Sequence, residues 1–173
     1  MNRHANYGTM ILAVLDECKI LPSQEDDFAS GIFLGGKITQ PVLLRNSIDE
    51  LNATGKFYII QNSNLRQKIA ELVETVEFRS GIDEKIFLRT MAAVSEIESK
   101  TRILLTEAVN PANNITSNDI QFDLESLCVD QTFKNAISTT RSSTFSSVYF
   151  TNDIIQMQKE VLDLLGSELS SKR

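Results

Sequence analysis

One histidine, His4, is all the imidazole this chain has, and tryptophan is absent. A Ser-His-Asp or Cys-His site would have to rest on that residue, and a histidine-containing zinc or di-iron site would have no second ligand of its kind. Basic residues are outnumbered, 17 against 23 acidic ones, for a net charge of −6. They are scattered, so the cationic stripe that displaces counterions from phosphates is missing and nucleic acid is not an expected partner. Long apolar runs are missing as well. The run near the N-terminus, Met10 to Leu15, is far below the ~20 residues that span a bilayer. The start, MNRHANYG, has neither the apolar region nor the small-residue cleavage site of a signal peptide. Membrane attachment is expected only through a segment absent from this chain.

Cysteine is nearly as scarce as histidine. Cys18 and Cys128 stand 110 positions apart, neither in a CxxC. One reading is two buried thiols acting as small hydrophobes. The other, in an oxidising compartment, is a long closed loop worth roughly 3 to 5 kcal/mol in the chain-entropy model. The acidic group Glu25, Asp26 and Asp27 reads as a solvated helix start, because the alternating oxygen ligands and central glycine of a calcium loop do not follow it.

What is present is helical periodicity. Met10, Ile11, Val14, Leu15, Cys18 and Leu21 recur at steps of three and four before Pro22, and Ser23 is placed to cap a second helix that ends at Gly35-Gly36. A short helix runs from Val42 to about Thr54 with Gly55 as its C′ residue, and Phe57 to Ile60 follows as an extended connector. Asn62 or Ser63 caps a helix with the stripe Leu65, Ile69, Leu72, Val73 and Val76, stopped at Gly81. Asp83 then opens the longest helix, which carries Ile86, Ala93, Val94, Ile97 and Leu104 and ends at Asn110-Pro111. Thr116 to Asp119 resembles a capping box for a helix through Cys128, and Asp130 caps another with Phe133, Ala136 and Ile137. Ser138 to Ser147 reads as a Ser/Thr-rich loop. A last helix from Thr151 or Asn152 carries Ile154, Val161, Leu162, Leu165 and Leu169, with Gly166 marking a close crossing.

With 173 residues, the chain has material for one ordinary core. The expectation is an all-α, single-domain irregular helical bundle of about five to seven helices. Residues 1–8 form a disordered start and 9–170 the helical domain. Glu96, Glu98, Glu107, Asp123 and Glu125 are the available acid-base groups, but spacing alone brings no two of them together. No catalytic, cofactor-binding or metal-binding residue is assigned, and the chain is not expected to be an enzyme.

From Ile48 to Leu72 the chain reads IDELNATGKFYIIQNSNLRQKIAEL. This segment is similar to one in bacterial membrane-anchored proteins of unknown function, D-L-x-S/T-G-x-L-x-L-I-x-N-x-x-L-R. There it lies in an extracytoplasmic helical domain that follows one transmembrane helix. The matching positions are Asp49, Leu51, Thr54, Gly55, Ile59, Ile60, Asn62, Leu65 and Arg66. Phe57-Tyr58 departs from the pattern, which has leucine with a polar neighbour there. No catalytic residue comes with the resemblance.

It implies a non-catalytic periplasmic or extracytoplasmic sensing or protein-interaction domain, anchored in the full-length protein, with a protein as partner. Oligomeric state stays open, and a soluble cytoplasmic scaffold or regulatory subunit is the competing class. Under the extracytoplasmic reading, Cys18 and Cys128 are expected to be bonded. Physically, the segment is a structural corner built from Gly55, Ile59, Ile60, Asn62 and Arg66. Arg66 is expected to pair with Asp49 or Glu50, because a cation in the first turn opposes the helix dipole; a solvated surface arginine is the alternative.

Overall fold

A computed structural model describes residues 3–34, 50, 53–104 and 115–171, and it is all-α. The helices are α1 (Arg3–Glu17), α2 (Glu25–Leu34), α3 (Ser63–Lys100), α4 (Leu124–Val129) and α5 (Gln131–Ser171). A two-residue antiparallel ladder joins β1 (Arg102–Ile103) to β2 (Ile120–Gln121), with Arg102 opposite Gln121 and Ile103 opposite Ile120. Where one domain was expected, the chain divides into two compact units: Met1–Thr39 with Lys85–Val148, and Gln40–Glu84 with Tyr149–Arg173. The reason is two separate apolar clusters. The first unit buries Ile11, Leu15, Phe28, Phe133 and Ile137 among others, and the second buries Leu65, Ile69, Leu72, Val76, Ile154 and Val161.

Several boundaries differ from the sequence reading. The helix begins at Arg3 rather than Thr9, so the expected disordered start is helical from that residue on. Tyr7 and Gly8 are buried, and an added Cβ at Gly8 would lie 2.7 Å from Arg141 Cβ. α1 ends before Pro22 because Cys18 takes a left-handed φ of 49° and Lys19 N–H donates to the Val14 carbonyl at 3.3 Å. That bond is the six-to-one closure of a Schellman end. Ser23 lies inside a 3₁₀ turn over Pro22–Gln24 that precedes α2, and Leu21 N–H donates to Gln24 Oε1.

Gly81 and Ser138–Ser147 do not break the chain. α3 is continuous for 38 residues and α5 for 41. Within α5, Thr140, Ser142 and Thr144 return their hydroxyl protons to carbonyls three or four residues earlier. These groups therefore do not compete for helix-breaking partners. α3 stops at Lys100 instead of Asn110, where Thr101 bonds back to the Ile97 carbonyl and the ladder begins. The expected capping box between Thr116 and Asp119 is present, but it opens a 3₁₀ turn over Ser117–Asp119 followed by β2, and the helix waits for Asp123, which accepts from Ser126 N–H. Asp130 does cap α5, accepting from Thr132 and Phe133 N–H. Gly35-Gly36, the helix from Val42, and Asp49 and Leu51 lie outside the described residues.

Gly81 and Gly166 both stand in helical backbone with nothing within 4 Å of an added Cβ, so Gly166 marks no close crossing among the described residues. Glycine costs a helix interior roughly 1 kcal/mol relative to alanine. Gly81→Ala is expected to raise unfolding free energy by about 0.5–1 kcal/mol in denaturant titration. Gly8→Ala, pressed on Arg141, is expected to lower it by about 1–3 kcal/mol.

Candidate functional site

The corner identified in the sequence sits in the second unit. Gly55 adopts a left-handed φ of 65°, where only glycine is free of steric cost, and a 3₁₀ turn over Lys56–Ile59 follows in place of an extended connector. In a 3₁₀ turn side chains three apart share a side. Phe57 and Ile60 accordingly pack on the Leu65–Val161 cluster, whereas Tyr58 and Ile59 point outward at 83% and 69% exposure. Ile59, expected to help build the corner, therefore faces outward, and Ile60 is the member of the pair that packs inward. Asn62 caps α3, with Oδ1 accepting from Leu65 N–H at 3.1 Å.

Among the described residues, which include Glu50 but not Asp49, Arg66 bridges to no carboxylate. Its guanidinium folds back and donates through Nη1 to the carbonyls of Ile60 and Gln61. Irregular backbone before a helix leaves carbonyls without intrahelical donors, and a first-turn arginine reaches them directly. Asp49 lies outside the described residues. Within the described residues, the acceptors that hold Arg66 at the corner are main-chain carbonyls.

In the first unit, Cys18 and Cys128 form a disulfide with Cα atoms 5.5 Å apart, tying the end of α1 to α4. Asp26, expected to be merely solvated, accepts from Ser117 N–H at 2.8 Å, and Ser30 donates to the Ile115 carbonyl at 2.8 Å. These contacts seat the Thr116–Asp119 turn on α2.

Beside the ladder lies an open cleft of about 660 Å³ lined by Ser99–Arg102, Ser117 and Ile120–Asp123. Lys100 is held there by Asp130 at 3.0 Å, and the hydrogen bond and charge of Asp130 push its ammonium pKa up. Asp130 itself is pulled down, first by the Phe133 N–H and then by Lys100. Asp119 is pulled down by the backbone N–H and then the hydroxyl of Thr116. Each group is held in its charged form, which suits ion pairing and not proton transfer at neutral pH. Thr101 spends its hydroxyl on the Ile97 carbonyl. Among the described residues no three His, Cys, Asp or Glu side chains converge to hold a metal ion.

Sequence reasoning missed Arg79. Its side chain is 7% exposed in the second unit, with Nη2 3.0 Å from Asp83 and the guanidinium 3.1 Å above the Phe150 ring. Nε and Nη1 have no hydrogen-bond acceptor. Burial lowers its pKa while Asp83 and Asp153 oppose the shift. Its place one step from Val76 on the apolar stripe was the available signal.

No protein-family model, curated protein or solved structure matches this chain.

Asp119 and Asp130 have folded-state pKa values below their unfolded ones. Their stabilisation is present above the unfolded value near 4 and is lost as pH falls through the folded values. Thermal melts should therefore show stability declining from about pH 4 downward, with the decline shallower in Asp119→Asn. Arg66→Ala is expected to cost about 1–2 kcal/mol in chemical denaturation, with Arg66→Lys recovering part of it.

Proposed function

We propose that the chain is a non-catalytic extracytoplasmic domain of a membrane-anchored bacterial protein, used for sensing or for contacting a partner protein. The observation that carries this reading is the Cys18–Cys128 disulfide. Disulfides persist in oxidising compartments and are kept reduced in the cytosol, and a bond closing a loop of this length contributes several kcal/mol. No described helix is long and apolar enough to cross a membrane, so the anchor in this reading is a further segment of the natural protein. The Gly55–Arg66 corner belongs to the same reading through its likeness to the membrane-anchored group.

Contact with a protein is supported by apolar side chains left outside both clusters. Phe78, Leu88 and Tyr149 on the long helices are each more than half exposed, and exposed aliphatic and aromatic groups favour protein surfaces over polar metabolites. The cleft beside the ladder, with its ion-paired Lys100, offers a polar ligand only a shallow seat.

Blocking thiols at the moment of lysis in cells that make the natural protein tests the placement. The expected result is no titratable thiol in unreduced, denatured protein. Two free thiols would place the chain with cytoplasmic scaffolds instead. Reduction of the purified protein is expected to lower its unfolding free energy by roughly 3–5 kcal/mol, read by denaturant titration with and without reductant.

A further inference from the structure

In the second unit the outer side of α5 carries Ile155, Leu162 and Leu169 at seven-residue steps, exposed by 41%, 64% and 67%. The sequence reading had put Leu162 and Leu169 in the buried stripe. In a helix of 3.6 residues per turn they lie about 100° around from Val161 and Glu168, outside the face that Ile154 and Val161 bury. Met157, Leu164 and Leu165 are partly buried against the cluster, so this is a distinct second stripe. Seven-residue spacing of branched aliphatics supplies one of the two apolar positions of a heptad, the line along which two helices meet in a shallow supercoil. It is not the pattern of a ligand pocket.

Gly166 stands between Leu162 and Leu169 on that side, with open space beyond it. The helix bears the cost of this glycine, and none of the described residues comes within 4 Å of a Cβ added there. Lys159 and Asp163 flank the stripe on the same side, and neither enters an ion pair among the described residues.

We propose that this stripe pairs with the same stripe of a second copy, antiparallel, about a two-fold axis beside Leu162. In that register Ile155 meets Leu169 of the second copy, and Leu162 meets its own equivalent. The Lys159 stem lies across the gap at Gly166 of the second copy, and its ammonium reaches the level of Asp163 there. Symmetry makes two such ion pairs. A parallel pairing would set Lys159 against Ile154 of the other copy, where no carboxylate waits. Charge complementarity therefore selects both the partner and its direction. The inference takes the protein-interaction reading above and names the partner.

Three apolar layers make a contact at the small end of specific interfaces, so association is weak, with Kd on the order of 10⁻⁴ M. Sedimentation velocity of the 173-residue protein across that concentration range is expected to show a monomer–dimer equilibrium. Leu162→Glu, at an exposed position, should abolish it with the melting temperature retained. Lys159→Asp should weaken it about tenfold, and Lys159→Asp combined with Asp163→Lys should restore it. Under mild oxidation Leu162→Cys should cross-link to itself, while Ile155→Cys should cross-link to Leu169→Cys in a mixture and not to itself. A monomer at every concentration, self-linking by Ile155→Cys, or no rescue by the charge swap would overturn the pairing. None of these results bears on the thiol titration that tests the placement.

Discussion

Main-chain hydrogen bonding runs unbroken along α3 and α5 past the residues that most oppose it, and each of the two helices supplies side chains to both apolar clusters. α3 supplies Leu65, Ile69, Leu72 and Val76 to one cluster and Ala93 and Ile97 to the other. α5 supplies Phe133, Ala136 and Ile137 to the first unit and Ile154 and Val161 to the second. Propagation wins because adding a residue to an existing helix costs little, while starting a new one costs a nucleus. The glycine penalty of about 1 kcal/mol is smaller than that cost.

This is where sequence reading and structure part. Glycine and clustered Ser/Thr are local stop signals, and they locate an end only when a cap or tertiary contact completes it. Gly55 is completed, with Thr54 closing back on the Glu50 carbonyl and a left-handed φ after it. Asn62 and Asp130 are completed by the N–H groups they accept. Gly81 has neither contact. The apolar periodicities were legible, and so was the all-α class, because buried side chains repeat along each stripe. The ladder was illegible: two residues per strand carry no periodicity, and it depends on the Leu104 N–H to Asp119 bond and its neighbours across a long connection. Ile59 and Leu162 were misplaced for a simpler reason, since hydrophobicity does not tell which side of a turn or stripe a residue takes.

Arg79 sets a limit on how apolar the second unit is. A guanidinium with Nε and Nη1 unsatisfied gives up solvation that a single carboxylate and one aromatic face do not fully return. A methionine of similar length would fill the same space with no polar group to satisfy. The ring of Phe150 beneath the guanidinium offsets part of the cost, and cation–π attraction grows as water is excluded. The arginine therefore fixes Phe150 of α5 against its own turn of α3 more than it adds stability.

The first unit solves the opposite problem. Its Thr116–Asp119 turn has little apolar surface, yet Ile115 and Ile120 on either side are buried. Polar bonds hold it: Asp26 to Ser117, Ser30 to Ile115, and Asp119 to Thr116. Each is a neutral or charge-assisted bond worth about 1–3 kcal/mol, and all three act on a stretch of five residues, 115–119. The disulfide acts on the same region from the other end, through Cys128 in α4. With α4 fixed to the end of α1, the segment from Thr116 to Asp130 has two anchored ends and little freedom left between them. The ladder and the cleft beside it are shaped by that double anchoring, because neither strand is long enough to hold the other alone.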